Sequence, residues 1–257
     1  MLNVVIVIPA YNEERRIAET VRLWLAELKS LSFRIVVVND GSKDTTSKVL
    51  HELARAEKRL VVIDQANQGH SAAITAGYHF AISLKPEFIF QADADTPVAP
   101  SHFWKLWSRR EETPFVIGVR THRKDSFHRK IMSAGARFSV YLLFQANLHD
   151  PNVPFRLMQT SLVEAMLPLV PNGIFAANLF ISCLAVRNAH AVEVPVEAVH
   201  RESVTKSLND WRWLLVSWRC FREFVRIRFS GRLTLHWNEP DLAPVVPVRA
   251  EEGRRAG

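Results

Sequence analysis

An α/β fold with a mostly parallel central sheet flanked by helices follows from three features of the chain. Short apolar runs alternate with helical patterns at about thirty-residue spacing, and parallel neighbours need right-handed helical crossovers. The runs are continuous rather than alternating, as strands covered on both faces are. Polar residues then gather just past the ends of those runs, at Tyr11, Glu13, Asp40, Gln68, Asp93 and Asp95, where open α/β sheets bind ligands. Each alone reads equally well as a turn or cap residue; together they outline one edge.

The first run, Val4 to Ile8, breaks at Pro9-Ala10-Tyr11-Asn12-Glu13-Glu14. A helix is predicted next, with Asn12 as its cap, Glu13 and Glu14 at its positive end, and Ile17, Val21, Trp24, Leu25 and Leu28 as its apolar stripe. The unit then recurs. Phe33 to Val38 is a second strand, Asn39-Asp40-Gly41-Ser42 turns the chain, and a helix begins near Asp44-Thr45-Thr46. A third strand, Leu60 to Ile63, leads through Asn67-Gln68-Gly69-His70-Ser71 into an Ala-rich helix ending near Leu84. The fourth, Phe88-Ile89-Phe90, delivers Gln91-Ala92-Asp93-Ala94-Asp95-Thr96-Pro97. In an extended segment residues two apart project to the same side. Asp93 and Asp95 thus offer convergent oxygens, which suit a hard divalent cation carrying a phosphate-bearing substrate.

These motifs resemble family 2 glycosyltransferases of GT-A fold: Val-Ile-Pro-Ala-Tyr-Asn-Glu-Glu (7–14), Val-Val-Asn-Asp-Gly-Ser-Lys-Asp-Thr-Thr (37–46), Asn-Gln-Gly-His (67–70) and Gln-Ala-Asp-Ala-Asp (91–95). The resemblance spans roughly residues 3 to 207 and is nearest to the polyprenyl-phosphate sugar transferases, the dolichol-phosphate mannose synthase-like branch. It implies that Pro9, Ala10, Tyr11, Glu13, Asp40, Gln68 and Ala94 border the nucleotide-sugar, and that Asp93 and Asp95 hold Mg²⁺ or Mn²⁺. Where relatives continue with Leu-Gln, Thr96-Pro97 stands instead, which removes a third side-chain ligand.

Further on, Val116-Ile117-Gly118-Val119-Arg120 and Arg129-Lys130-Ile131-Met132-Ser133 resemble elements that turn an Arg toward phosphate. Asp150-Pro151-Asn152-Val153-Pro154-Phe155-Arg156 matches Asp-x-x-Ser-Gly-Phe-Arg, with Val153-Pro154 in place of Ser-Gly. Proline fixes φ and lacks the N–H, so a contact through that glycine amide is lost. Val194-Pro195-Val196 followed by His200 to Ser207 resembles the element near the acceptor, with Val204 at or beside the usual glycine. Arg201 and Lys206 are carried over as ligands of an anionic acceptor; a solvated basic loop is the plainer reading.

The implied reaction moves a sugar, with inversion, from a GDP- or UDP-linked donor to a polyprenyl or dolichyl phosphate, with Asp95, Asp150 and Arg156 as catalytic residues and Arg120, Arg129, Arg201 and Lys206 facing phosphate. A sugar or secondary-metabolite hydroxyl as acceptor would need a base, for which Asp150 is the candidate. A non-catalytic nucleotide-sugar-binding protein is a further alternative.

Composition suits work at a membrane surface. The 257 residues, 48% hydrophobic, are enough for one α/β core. A net charge of +7 favours anionic partners. No helix-turn-helix, zinc or aromatic-interleaved sheet motif accompanies the charge, which argues against nucleic acid. No eighteen-residue apolar run appears and Met1 leads straight into a strand, so the expectation is a cytoplasmic protein, soluble or peripheral on the membrane's cytoplasmic face. Cys183 and Cys220 lack metal or disulfide spacing and are expected to be buried and reduced.

The organisation read from the chain is a catalytic domain over 1–207, an amphipathic basic and aromatic helical segment over 208–237, and a disordered tail over 238–257. In the helical segment Arg212, Arg219, Glu223 and Arg226 form one polar stripe opposite Trp, Phe, Leu and Val. Such a helix either lies in a bilayer interface or packs against the catalytic domain or a second subunit; the resemblance favours the membrane.

Overall fold

The computed structural model describes residues 1–95, 98–121, 141, 144, 148–198 and 210–229, with backbone alone for 210–217. The order of elements is β1 (Val4–Ala10), α1 (Ile17–Glu27), β2 (Phe33–Asp40), α2 (Thr46–Ala56), β3 (Leu60–Gln65), α3 (His70–Ser83) and β4 (Phe88–Gln91), as the apolar runs predict. There follow α4 (Phe103–Trp107), β5 (Phe115–Thr121), β6 (Arg156–Gln159), α5 (Thr160–Met166), α6 (Ala177–Asn188), β7 (Ala191–Glu197) and α7 (Asp210–Arg228). The predicted tail lies outside the described residues.

Seven strands form one sheet in the order β3-β2-β1-β4-β6-β5-β7. Pairing is parallel from β3 through β4 and again between β5 and β7, while β6 runs antiparallel to both its neighbours. The sheet is therefore mostly parallel, as expected. The reversal of β6 has a consequence for the site: its first residue, Arg156, lies beside Gln91, the last residue of β4. One sheet edge thus collects the ends of β1, β2, β3, β4 and β5 together with the start of β6.

Val4 to Ile8 are wholly buried, each apolar side chain contributing about 1.5–3 kcal/mol relative to exposure. On one face Trp24 of α1 packs 5.4 Å from Phe90, which meets Phe103 at 5.1 Å and Phe155 at 4.7 Å, near edge-on. On the other face α3 lies close against β1 and β2 because Gly77 has no side chain; a Cβ there would collide with Val7 and press Val38. Of the stripe predicted for α1, Ile17, Val21, Trp24 and Leu28 are buried and Leu25 half-buried.

Asn12 does not cap α1. The helix starts at Ile17, behind Arg16, and Asn12 instead takes a left-handed conformation, φ 56°, which its side chain tolerates better than most. Glu14 likewise serves a different helix, its carboxylate accepting from the N–H and hydroxyl of Thr45 at the start of α2. Cys183 is buried but Cys220 only half-buried, and both are free.

The predicted C-terminal helix is present. Phe224 is buried against Phe144 and Phe180, at 5.8 and 5.9 Å, so this end of α7 packs on the domain, whereas Trp218 and Phe229 stand exposed. Among the described residues no helix is long and apolar enough to cross a membrane.

Candidate functional site

A cleft of about 420 Å³ opens along the strand ends, lined by Pro9, Ala10, Tyr11, Glu13, Asp40, Asn67, Gly69, His70, Ala73, Asp93, Ala94 and Asp95. Three loops build it and hold one another. After β1, the Asn12 N–H donates to Ser42 Oγ, 2.9 Å, and Asn12 Oδ1 accepts from the Lys43 N–H, 2.8 Å. The Glu13 N–H donates to Thr46 Oγ1, 2.8 Å. After β2, the buried Asp40 carboxylate accepts from Gln65 Nε2, 2.7 Å, and from the N–H groups of Gln68, 2.9 Å, and Gly69, 2.8 Å. Gly41 permits this approach: its φ is 66°, and a Cβ would stand 2.6 Å from Asn67 N. Asp40 therefore frames the cleft, with three of the roughly four acceptor positions of a carboxylate engaged. Gln68 contributes its backbone to that frame.

The turn after β4 is fixed from behind. Ala92 and Ala94 are buried, the Ala92 N–H donates to Val7 O, 3.0 Å, and Thr20 of α1 donates its hydroxyl to Ala94 O, 2.7 Å. Asp93 and Asp95 are thereby presented to the cleft, and each keeps a buried oxygen, Oδ1, with no hydrogen-bond partner among the described residues. Burial first, and the Asp95 charge second, push the Asp93 carboxyl up to about 7, against the opposing pull of Arg120 and Arg156. Burial and Asp95 raise Glu13 as well. Two unsatisfied hard oxygens fit Mg²⁺ or Mn²⁺. Among the described residues no group of three His, Cys, Asp or Glu side chains could hold a metal ion.

His70 is a cleft residue that the sequence reading passed over, although its motif was in view. It opens α3, keeps about half its side-chain surface open, and brings Nε2 within 3.9 Å of Asp93 Oδ1, too far for a hydrogen bond. Desolvation in the concave cleft lowers its basicity, partly offset by Asp40 and Asp95.

The residues assigned to catalysis and phosphate in the second half are placed differently. Arg120 and Asp150 form a bidentate pair, Nε to Oδ2 at 2.7 Å and Nη2 to Oδ1 at 2.9 Å. Arg156 is wholly buried and donates to the carbonyls of Val153 and Pro151, to Asn178 O at 2.9 Å and to Ser182 Oγ at 3.1 Å. The loop containing Val153-Pro154 is wrapped around this guanidinium, and Val153 is itself buried. Arg156 thus sits behind the cleft wall rather than in the cleft. Its charge bears on Asp93 through the protein. Arg129, Arg201 and Lys206 lie outside the described residues, as do Thr96, Pro97 and Val204.

Residues 5–167 match the glycosyl transferase family 2 profile. The chain is 33% identical over 212 residues to undecaprenyl-phosphate 4-deoxy-4-formamido-L-arabinose transferase of Pseudomonas paraeruginosa, covering 77% of this chain and 59% of that relative. It therefore spans little more than half the length of that protein. It is 31% identical to an uncharacterised protein of Methanocaldococcus jannaschii, covering 82% of this chain and 94% of the relative. Among solved structures, glucosyl-3-phosphoglycerate synthase from Mycobacterium tuberculosis, in complex with Mn²⁺, UDP-glucose and glycerol 3-phosphate, superposes with TM-score 0.63 at 15% identity, over 88% of this chain and 80% of that one. At that identity the likeness speaks for the fold. With nearly two thirds of the chain inside the profile and its motifs assembled at one sheet edge, the protein belongs to glycosyl transferase family 2.

Proposed function

We propose that the protein transfers a sugar from a nucleoside diphosphate donor to a polyprenyl phosphate. The observation that carries this reading is the pair of orphaned oxygens on Asp93 and Asp95 at the floor of the cleft. Asp93 and Asp95 would hold Mg²⁺ or Mn²⁺. When bound, the ion neutralises charge that builds on the departing diphosphate. Tyr11, at the rim, and Asp40, with acceptor capacity left for one more donor, would border the nucleoside; the imide N–H of uracil or guanine suits that acceptor.

The acceptor class draws on the relatives, whose name specifies undecaprenyl phosphate. A phosphate oxygen is already anionic near neutral pH, so the site has to align it behind the anomeric carbon, with inversion, rather than deprotonate it. The bidentate Arg120–Asp150 contact supports a positioning role, because it fixes both side chains relative to each other on the acceptor side. We assign Arg120 and Asp150 to orienting the acceptor side and Arg156 to holding the wall behind Asp93. Arg129, Arg201 and Lys206 are assigned to the acceptor phosphate on the resemblance of their motifs.

The exposed face of α7 fits an anionic membrane surface on which such an acceptor resides. Arg219, Arg222 and Arg226 line a groove of about 320 Å³ with Pro171, Glu223 and Ile227, and Trp218 is exposed alongside. We infer peripheral attachment at the cytoplasmic face. The test is transfer of labelled sugar from UDP- and GDP-linked donors to polyprenyl phosphate in anionic vesicles. Metal-dependent formation of lipid-linked sugar, absent in Asp95→Ala, is the expected result. Hydrolysis of the donor alone, or transfer only to hydroxyl acceptors, would overturn the assignment.

A further inference from the structure

The turn 173–176, between α5 and α6, is tied on both sides. From the outside, Glu223 of α7 accepts the Phe175 N–H at 3.1 Å, and the Arg219 guanidinium lies 5.4 Å from the centre of the Phe175 ring. From the inside, Ser71 donates its hydroxyl to Phe175 O at 2.8 Å, and Ser71 Oγ accepts the Ala177 N–H at 3.1 Å, capping α6 from another helix. Ser71 is the second residue of α3 and follows His70, whose Nε2 lies 3.9 Å from Asp93 Oδ1. Phe175 is 45% exposed. Its ring therefore anchors it little; Ile174 before it and Ala177 after it are buried, and the hydrogen bonds to Glu223 and Ser71 fix the Phe175 peptide between them. Among the described residues no hydrogen bond holds the His70 ring, so its place depends on the first turn of α3.

We propose that Glu223 is a positioning residue for the donor cleft, acting from the C-terminal helix through Phe175 and Ser71 to keep the His70–Ser71 wall in register with Asp93. The inference rests on reading the cleft as a nucleotide site. Glu223 itself touches no substrate. Its part is to hold, at one remove, the Phe175 peptide that lies between the buried Ile174 and Ala177. The device also links the basic face of α7 to the donor side of the enzyme, because Glu223 lies in the same groove as Arg219, Arg222 and Arg226.

The test uses the full chain and three variants, Glu223→Ala, Glu223→Gln and Ser71→Ala, with two readouts. One is calorimetric affinity for UDP and GDP with Mn²⁺; the other is amide hydrogen exchange at residues 70–73 and 175–177 without ligand. Glu223→Ala is expected to weaken affinity for whichever nucleotide binds by about three- to tenfold, the scale of one net hydrogen bond, and to speed exchange in both segments. Glu223→Gln keeps an acceptor oxygen and is expected to stay within about twofold of wild type. Ser71→Ala should reproduce the Glu223→Ala effect at the cleft. Faster exchange confined to 175–177 with unchanged affinity would overturn the proposal, as would Glu223→Gln behaving like Glu223→Ala. If neither nucleotide binds the wild type, the nucleotide reading fails, and exchange at 70–73 alone decides whether the relay exists. If Glu223→Ala does not fold, Ser71→Ala decides it in the same way.

Discussion

The two halves of the site use charge in opposite ways. In the half built by β1 to β4, carboxylates are turned toward the cleft and left partly unsatisfied, as with Asp93 and Asp95. In the half built by β5 and β6, charged groups satisfy one another or the backbone: Arg120 takes Asp150, and Arg156 takes the carbonyls of its own loop and of Asn178 on α6. The first half leaves acceptor oxygens open to the cleft; the second half holds its charges in contacts within the protein. Buried oxygens left without donors at a cleft carry a cost that a bound cation can offset, whereas a buried guanidinium needs acceptors supplied by the protein.

The contrast can be broken by substitution on either side. The largest effect is expected from Asp95→Ala, which should reduce metal-dependent nucleotide affinity by about a hundredfold or more while leaving the folded state intact, checked by calorimetry alongside a urea melt. Next comes Arg156→Met. It leaves buried carbonyls without donors and should cost about 3 kcal/mol or more in urea unfolding, with any surviving folded protein still binding nucleotide. Binding loss without loss of stability would move Arg156 from scaffold to ligand contact.

Asp93→Asn should act in the reverse direction and stabilise the metal-free protein. The folded carboxyl holds its proton up to about pH 7, whereas an unfolded Asp releases it near 4. Between those values the folded state binds more protons, so wild-type stability falls as pH rises through the window and levels off above it. The variant's advantage should therefore be absent below about pH 4, grow toward pH 7 and reach about 1–3 kcal/mol. Thermal melts across pH 4–8 without divalent ions check it; a flat difference would show that the Asp93 carboxyl is not perturbed. The smallest effect is expected from Thr20→Val. It removes the hydroxyl that holds Ala94 O and should cost about 1 kcal/mol, with a modest loss of metal affinity because the carboxylate turn loosens.

The same contrast explains what was legible in the chain. In β1 to β4, strand, turn and site residue follow one another within a dozen positions, so Tyr11, Glu13, Asp40, Asp93 and Asp95 could be read off the ends of apolar runs. The antiparallel course of β6 was not legible, because a four-residue strand, Arg156–Gln159, carries no sign of direction. Asn12 was misread because the residue type that caps helices is also the one that tolerates a left-handed turn. Arg156 reads from its motif as catalytic, yet only the fold shows that Pro151, Val153, Asn178 and Ser182 surround it. His70 was missed because one histidine after a glycine has no meaning until α3 brings it to Asp93. The Glu223–Phe175–Ser71 linkage joins residues about fifty and a hundred positions apart, beyond any local pattern.

The central claim is that the edge formed by β1 to β4 is a metal-dependent nucleotide site. The most direct measurement is calorimetric titration of UDP and GDP into the wild-type protein, each with and without Mn²⁺, repeated on Asp95→Ala. The account predicts saturable binding of one nucleotide that requires the ion and disappears in the variant. Binding that is indifferent to Mn²⁺ and unchanged by Asp95→Ala, or no binding of either nucleotide, would contradict it.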